Sequence, residues 1–183
     1  MLADTLGNLV TRVLRFAAKN WDGRLPPLLP EHAEELDRVL LTECGPIADP
    51  AVAVQAYRFR RAAEELLGNA TAANVFVDRL APWTLRKTDA ARAGSVVNTA
   101  AEWLGWLARW MAPFLPARAQ QLWAMLGQPG RADALPWPSL PRAGAWRSLD
   151  LTRPLGEVAP LFAKLDDEVV AAEIKALQQR TLA

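Results

Sequence analysis

Apolar residues repeat with the period of an α-helix at the start of the chain. Leu2, Leu6, Leu9, Val13 and Phe16 fall on one helical face. A polar and basic stripe runs beside this face at the same spacing, formed by Asn8, Arg12, Arg15 and Lys19. The pattern predicts an amphipathic helix over residues 2–20, which the prolines that follow it bring to an end.

Similar patterns predict further helices. They run from Glu31 to about Leu41, from Pro50 to about Leu80, over about 23 residues after an Asp89 cap, from about Ala117 to Leu126, and from Asp166 to about Arg180. Gly68-Asn69 should weaken the long helix by about 1 kcal/mol relative to alanine. Without strand signals or internal repeats, the prediction is an all-α bundle of about five to six helices.

Residues 128–163 are rich in proline and show no sustained period. They predict an irregular strap laid over the bundle and pinned by Trp137 and Trp146. We therefore divide the chain into a helical-bundle domain, 1–127, and a segment, 128–183, in which the strap and the C-terminal helix pack on the same domain.

Composition excludes several classes of function. Half of the residues are apolar and 22% are charged, as in ordinary globular proteins. A single cysteine, Cys44, and a single histidine, His32, allow neither an internal disulfide nor a His/Cys metal site, so no metal is expected. No apolar run reaches membrane-spanning length and no signal peptide is evident, which predicts a cytoplasmic protein.

Asn8 and Arg12 are the first candidate for a binding site. At positions i and i+4 they leave one helical face about one turn apart. An amide and a guanidinium so placed could hydrogen-bond the base edges or phosphates of an unstacked nucleotide. The alternative is an ordinary solvated helix face.

Ala81-Pro82-Trp83 is the second candidate. Proline fixes the backbone at a helix break, so that Trp83 offers a rigid platform for a base and Lys87, one turn later, could meet a phosphate. The alternative is a core tryptophan that fills a helix corner. Asn74 and Asp78, another i, i+4 pair, could support this site or simply be a polar pair on a long helix.

Other features indicate structure and not chemistry. Trp103, Trp106 and Trp110 lie on a helix that is apolar nearly all round, which predicts a core position. The sequence has no glycine-rich phosphate loop, no paired histidines and no nucleophile beside a base, so nothing in it indicates catalysis. The net charge is +1, and the basic side chains are seventeen arginines and four lysines. A near-neutral net charge does not exclude RNA binding, because a local basic patch suffices to bind splayed bases.

Taken in order, four motifs resemble the C-terminal anticodon-binding domain of methionyl-tRNA synthetases. The first is the opening helix, with Gly7-Asn8-Leu9 and Arg12. The others are the helix from Phe59-x-x-Ala62 through Ala73-Asn74 and Asp78 to Ala81-Pro82-Trp83, then Leu122-Trp123 with Leu126-Gly127, and finally Pro160-Leu161-Phe162 with Lys164-Leu165-Asp166.

The resemblance implies roles for individual residues. Asn8 and Arg12 would hydrogen-bond anticodon bases, Trp83 would stack on one of them, and Pro82 would position that tryptophan. Supporting positions would be Asn74, Asp78, Lys87 and Arg15. The implied partner is the CAU anticodon of methionine tRNAs. Val75-Phe76 stand where many members of the family have Arg-Tyr, so a supporting tyrosine hydroxyl is absent.

The catalytic motifs of that family, His-x-Gly-His and Lys-Met-Ser-Lys-Ser, do not occur in this sequence. The resemblance therefore implies that ATP and methionine bind a catalytic domain supplied in cis or in trans, and that this chain alone holds no cofactor. Two other hypotheses stay open. One is a free-standing or degenerate bundle that docks proteins through exposed tryptophans, and the other is the corresponding domain of a synthetase for another aliphatic amino acid.

Overall fold

A computed structural model describes residues 3–138, 140, 142, 146–162 and 167–181. Eight α-helices occur in this part of the chain: α1 (Asn8–Asn20), α2 (Pro30–Arg38), α3 (Pro50–Gln55), α4 (Phe59–Leu80), α5 (Pro82–Leu85), α6 (Ala90–Met111), α7 (Pro116–Met125) and α8 (Asp167–Thr181). Single π-helical turns precede α1, at Ala3–Gly7, and extend α2, at Val39–Glu43. The all-α prediction is confirmed. Four residues used above lie outside the described ones: Leu2, Lys164, Leu165 and Asp166.

The prediction of one long helix from Pro50 to about Leu80 is wrong, because two helices, α3 and α4, occupy this range. The chain leaves the helical path after Gln55, and Tyr57 takes a left-handed conformation with φ of 57° before α4 begins. The amide of Arg58 reaches back to the carbonyl of Ala53 at 2.8 Å, which closes the end of α3. Neither glycine nor proline marks this break, so the sequence pattern gave no sign of it.

The predicted weak point at Gly68-Asn69 does not interrupt α4. Asn69 is fully buried, and its side-chain amide both donates to the carbonyl of Ala48 and accepts from the Ala48 amide, at 2.9 and 3.0 Å. Its own carbonyl accepts a hydrogen bond from Trp103 at 3.0 Å. Asn69 therefore ties α4 to the segment before α3 and to α6, which offsets the low helix propensity of its glycine neighbour.

Helix α6 forms the centre of the bundle, and the predicted core position of its tryptophans is confirmed. The Asp89 carboxylate caps it by accepting from the Arg92 amide at 2.8 Å, as predicted. Trp103 and Trp110 are fully buried, and Trp106 is 8% exposed. Their indole N–H groups donate to the carbonyls of Asn69, Pro138 and Trp146. These large apolar side chains are therefore buried with their N–H groups hydrogen-bonded.

The segment after α7 folds back against the end of that helix through close backbone contacts. Gly127, with φ of 72°, is so close to the strap that a Cβ would lie 2.0 Å from the carbonyl oxygen of Pro154, and a Cβ on Gly156 would lie 2.3 Å from that of Ala124. Trp146 is 2% exposed and belongs to the core, whereas Trp137 is only partly buried. Only glycine leaves room for these backbone approaches.

Helix α8 begins at Asp167, and its apolar side chains Val169, Val170, Ile174 and Leu177 are 40–58% exposed. The division at residue 127 and the packing of the C-terminal helix stay predictions. Within the described part of the chain, no helix combines the length and apolarity needed to cross a membrane.

Glu102 of α6 holds the strap at Ser148 and Leu149. One carboxylate oxygen accepts from the Ser148 amide at 2.9 Å, and both accept from the Leu149 amide at 3.2 Å. Burial raises the pKa of Glu102 above its ordinary 4.5, although these two amides and the charge of Arg147 act in the opposite direction. The carboxyl group is therefore easier to protonate in the folded chain than in the unfolded one.

We expect Glu102→Gln to change how stability depends on pH. Because the folded state holds the Glu102 proton more tightly, this residue costs the wild type stability as pH rises from 4.5 through the raised pKa. Glutamine does not titrate, so the free energy of unfolding of the variant should rise relative to that of the wild type over this interval. Urea unfolding from about pH 4 to pH 8 measures the difference. A difference that stays constant with pH would contradict this assignment.

Candidate nucleic-acid interface

The junction between α4 and α5 sets the direction of Trp83. Ala81 ends α4 in a left-handed conformation, with φ of 39° and ψ of 61°, and its amide bonds the carbonyl of Val77 at 2.9 Å. Pro82 is buried and opens α5 at a position where its missing N–H costs no helical hydrogen bond. The chain therefore turns sharply, and Trp83 follows the turn as a partly buried side chain on the edge of the core.

Arg12 of α1 meets Trp83 at this edge. The guanidinium carbon lies 4.5 Å from the centroid of the Trp83 ring, in cation–π geometry. The same guanidinium donates to Asp78 of α4 at 2.5 Å, and the side chains of Arg12 and Asp78 are 29% and 59% exposed. Three of the predicted residues thus form one group at the protein surface, supplied by α1, α4 and α5. Arg12 of the opening helix and the indole that follows the proline therefore lie together at this edge.

Phe16 extends this group along α1. Its ring meets that of Trp83 edge to face, with centroids 6.4 Å apart, and meets Trp21 in the same manner at 5.7 Å. The guanidinium carbon of Arg86 lies 5.9 Å from the ring of Trp21. We name the three aromatic residues Trp83, Phe16 and Trp21 the aromatic row. The sequence pattern predicts no binding role for Phe16, Trp21 or Arg86.

Asn8 and Arg15 are exposed on the stripe of α1 that also carries Arg12. Neither side chain makes a hydrogen bond or an ion pair with the residues that the structure describes. Asn8 lies one turn before Arg12, so its amide is available at the same surface. Both residues thus share the polar stripe of α1 with Arg12.

Asn74 and Lys87 have different surroundings. The Asn74 amide donates to the carbonyl of Thr5 at 2.9 Å and to that of Ala70 at 3.0 Å, which fastens the start of the chain to α4. Asn74 therefore holds the scaffold of the site together. Lys87 is exposed in the turn that follows α5, one residue after Arg86.

Val75 and Phe76 are the two residues noted above as a departure from the Arg-Tyr of many family members. Val75 is 43% exposed and Phe76 is fully buried in the core. Phe76 thus fills an apolar position and offers no hydroxyl group, as the sequence indicates.

Comparison with known proteins identifies the family. A model of the anticodon-binding domain of methionyl-tRNA ligase matches residues 27–179. The chain belongs to this family. The matched range contains the α4–α5 junction with Trp83 and begins after Asn8 and Arg12.

Individual methionine–tRNA ligases are similar over a larger share of the chain than the family model. The chain is 33% identical over 180 residues to the ligase of a Caulobacter species (strain K31), covering 93% of the chain and 29% of that relative. It is also 33% identical over 181 residues to the ligase of Pelodictyon phaeoclathratiforme, covering 97% of the chain and 25% of the relative. The chain thus spans less than a third of the length of these relatives.

The free-state structure of Mycobacterium tuberculosis methionyl-tRNA synthetase has a similar fold. It is 26% identical in sequence, with a TM-score of 0.73, and the match covers 90% of this chain and 32% of that protein. The comparisons thus support the prediction of an anticodon-binding domain of a methionyl-tRNA ligase. They offer no support for the two other hypotheses, a protein-docking bundle and a synthetase for another amino acid.

Proposed function

We propose that this chain recognises the CAU anticodon of methionine tRNA as the anticodon-binding part of a methionine–tRNA ligase. The observation that carries the proposal is the meeting of Arg12 with Trp83 at the surface, 4.5 Å apart and supported by Asp78. A rigid aromatic face beside a planar, multidentate cation is a combination that binds unstacked RNA bases. The names of the relatives agree with it.

Trp83 is the stacking residue of this proposal. The Ala81-Pro82 turn fixes the backbone under the indole, and Phe16 supports the ring edge to face. An anticodon base that leaves the RNA stack regains stacking energy on such a face. Without RNA, the Arg12 guanidinium lies over the indole, so a base that stacks on that face displaces it.

Arg12 and Asn8 are the residues that read base edges. A guanidinium displaced from the indole stays within reach of the stacked base, because α1 packs against the α4 side of the site. The amide of Asn8, one turn earlier, adds both a donor and an acceptor at the same surface. Pro82 positions Trp83, while Asn74, Asp78, Arg15 and Lys87 are the supporting residues.

Aminoacylation itself needs more than this domain. We propose that a catalytic domain, in cis or in trans, binds ATP and methionine, and that the anticodon-binding domain selects the tRNA presented to it. Translation in the cytoplasm is the setting in which this activity belongs.

We expect Arg12→Ala to weaken binding of a CAU anticodon stem-loop and to reduce the preference for CAU over a stem-loop with one changed anticodon base. Both effects follow because the guanidinium supplies charge as well as directed donors. Loss of a bidentate contact should narrow the preference by about tenfold. Fluorescence anisotropy titrations of both RNAs at one salt concentration give the two affinities.

Arg58→Ala is the matched control for Arg12→Ala. Arg58 is exposed at the far end of α4, about 30 Å along the helix axis from Trp83, so its loss should leave the preference unchanged. A CAU preference that survives Arg12→Ala in full would contradict the role given to Arg12.

A further inference from the structure

Arg86 is a surface arginine held by an aromatic ring and not by an acid. Its guanidinium lies over Trp21, and the side chain makes no hydrogen bond or ion pair with the residues that the structure describes. Arg12, Arg92 and Arg147 are instead bound to Asp78, Glu35 and Asp37. The N–H donors of Arg86 are therefore oriented by the ring and still available to a ligand.

Trp21 is held firmly beneath this guanidinium. The indole follows α1 in a tight turn and is partly buried against the start of α6. Its Cζ2 atom lies 3.5 Å from the point where a Cβ on Gly94 would stand, so the absent side chain of Gly94 makes room for it. Because the ring packs in this space, an arginine that lies over it loses less conformational freedom on binding an anion than an arginine without such a partner.

The charge around the aromatic row favours a polyanion. Arg15 and Lys19 are exposed on α1, and Lys87 is exposed beside Arg86. Of the nearby acids, Asp78 is bound to Arg12, and Asp89 caps α6 by accepting from the Arg92 amide. Asp22 is exposed next to Trp21. Phe16 connects Trp21 to Trp83, which places Arg86 two ring contacts away from the stacking residue.

We propose that Arg86 binds a phosphodiester group of the anticodon loop, next to the nucleotide stacked on Trp83, and that Trp21 positions Arg86 for this contact. The inference rests on the proposed function, because it takes the same RNA loop as its ligand. Phosphate contacts fix the register of a nucleic acid on a protein and carry no sequence information of their own. Arg86 thus contributes affinity and register, while Arg12 and Trp83 provide base recognition.

The first test is Arg86→Ala, titrated with the CAU stem-loop at several salt concentrations. We expect about a fivefold loss of affinity, the size of an exposed ion pair. The slope of log affinity against log salt should decrease in magnitude by about one phosphate contact. The preference for CAU should stay unchanged, because stem-loops with a changed anticodon base lose the same factor. Arg58→Ala is the control and should change neither quantity.

The second test concerns the role of Trp21. Trp21→Leu keeps an apolar side chain against Gly94 but removes the ring face, so it should reproduce the loss in salt slope while circular dichroism stays that of the wild type. The double variant Trp21→Leu/Arg86→Ala should bind no more weakly than Arg86→Ala alone, because Trp21 acts through Arg86. Independent, additive losses would overturn the positioning role.

The ligand itself is tested with a hairpin that keeps the stem and replaces the anticodon loop by a four-nucleotide loop. Wild type and Arg86→Ala should bind this hairpin equally, and an equal loss on both RNAs would overturn the assignment to the loop. Arg86→Ala could have the same affinity and salt slope as Arg58→Ala, while Trp83→Ala still binds the CAU stem-loop more weakly than the wild type. In that case this inference fails and the proposed function stands. Absence of any CAU preference in the wild type would instead contradict the proposed function.

Discussion

Trp83→Ala should lower the affinity of the chain for a CAU anticodon stem-loop by about 1–3 kcal/mol, which is roughly 5- to 150-fold in Kd. The indole is partly buried, and it is the ring over which Arg12 lies. Its loss removes the stacking face and the support that holds the guanidinium. A titration at fixed salt measures the effect, because RNA affinities are comparable only at one ionic strength.

Two controls accompany Trp83→Ala. Phe59→Ala removes a 54% exposed aromatic side chain at the opposite end of α4 and should leave RNA binding unchanged. Trp83→Phe keeps a smaller ring and should fall between the wild type and alanine. Neither Trp83 variant removes a charge, so the salt slope should stay close to that of the wild type, unlike that of Arg86→Ala. Wild-type affinity in Trp83→Ala would contradict stacking on this residue.

Trp103→Ala should have its largest effect on stability. Trp103 is fully buried, packs edge to face on Trp110 and Trp146 with centroids 5.6 and 5.8 Å away, and donates to the carbonyl of Asn69. Replacing a buried tryptophan by alanine costs about 3–5 kcal/mol. For a chain of this size the melting temperature should fall by roughly 10 °C.

Trp103→Phe separates packing from hydrogen bonding at this position. Phenylalanine keeps most of the apolar contact but loses the N–H group that donates to the Asn69 carbonyl. The lost hydrogen bond should cost about 1 kcal/mol, and the lost volume a further amount. Thermal unfolding followed by circular dichroism ranks the variants. Trp103→Ala melting within about 2 °C of the wild type would contradict the central position of α6.

The two tryptophans show which features of the fold can be predicted from the sequence. The apolar surround of Trp103 on a 22-residue helix marks a core residue by periodicity alone. Periodicity could not assign Trp83 either to the core or to a binding site, because a helix corner and a binding platform have the same local pattern. The structure places Arg12, 71 positions earlier in the chain, over its ring, a contact that no local pattern predicts.

The parts that the sequence missed depend on contacts between distant residues. The break after Gln55 uses Tyr57 in a conformation that no glycine announces, and the stability of α4 at Asn69 comes from a hydrogen-bonded pair with Ala48. Trp21 and Arg86 lie 65 positions apart and meet through packing at the ends of α1 and α5. The sequence feature that could have pointed to Phe16 is its spacing, because a residue four positions after Arg12 lies on the same face of α1.

The measurement that tests the central claim most directly is the affinity of the wild-type chain for four anticodon stem-loops. One carries CAU, and each of the other three has one anticodon base changed, all at the same salt concentration. Recognition by the Arg12–Trp83 surface predicts that CAU binds about tenfold or more tightly than each of the others. Equal affinity for all four RNAs, or no binding to any of them, would contradict anticodon recognition by this chain.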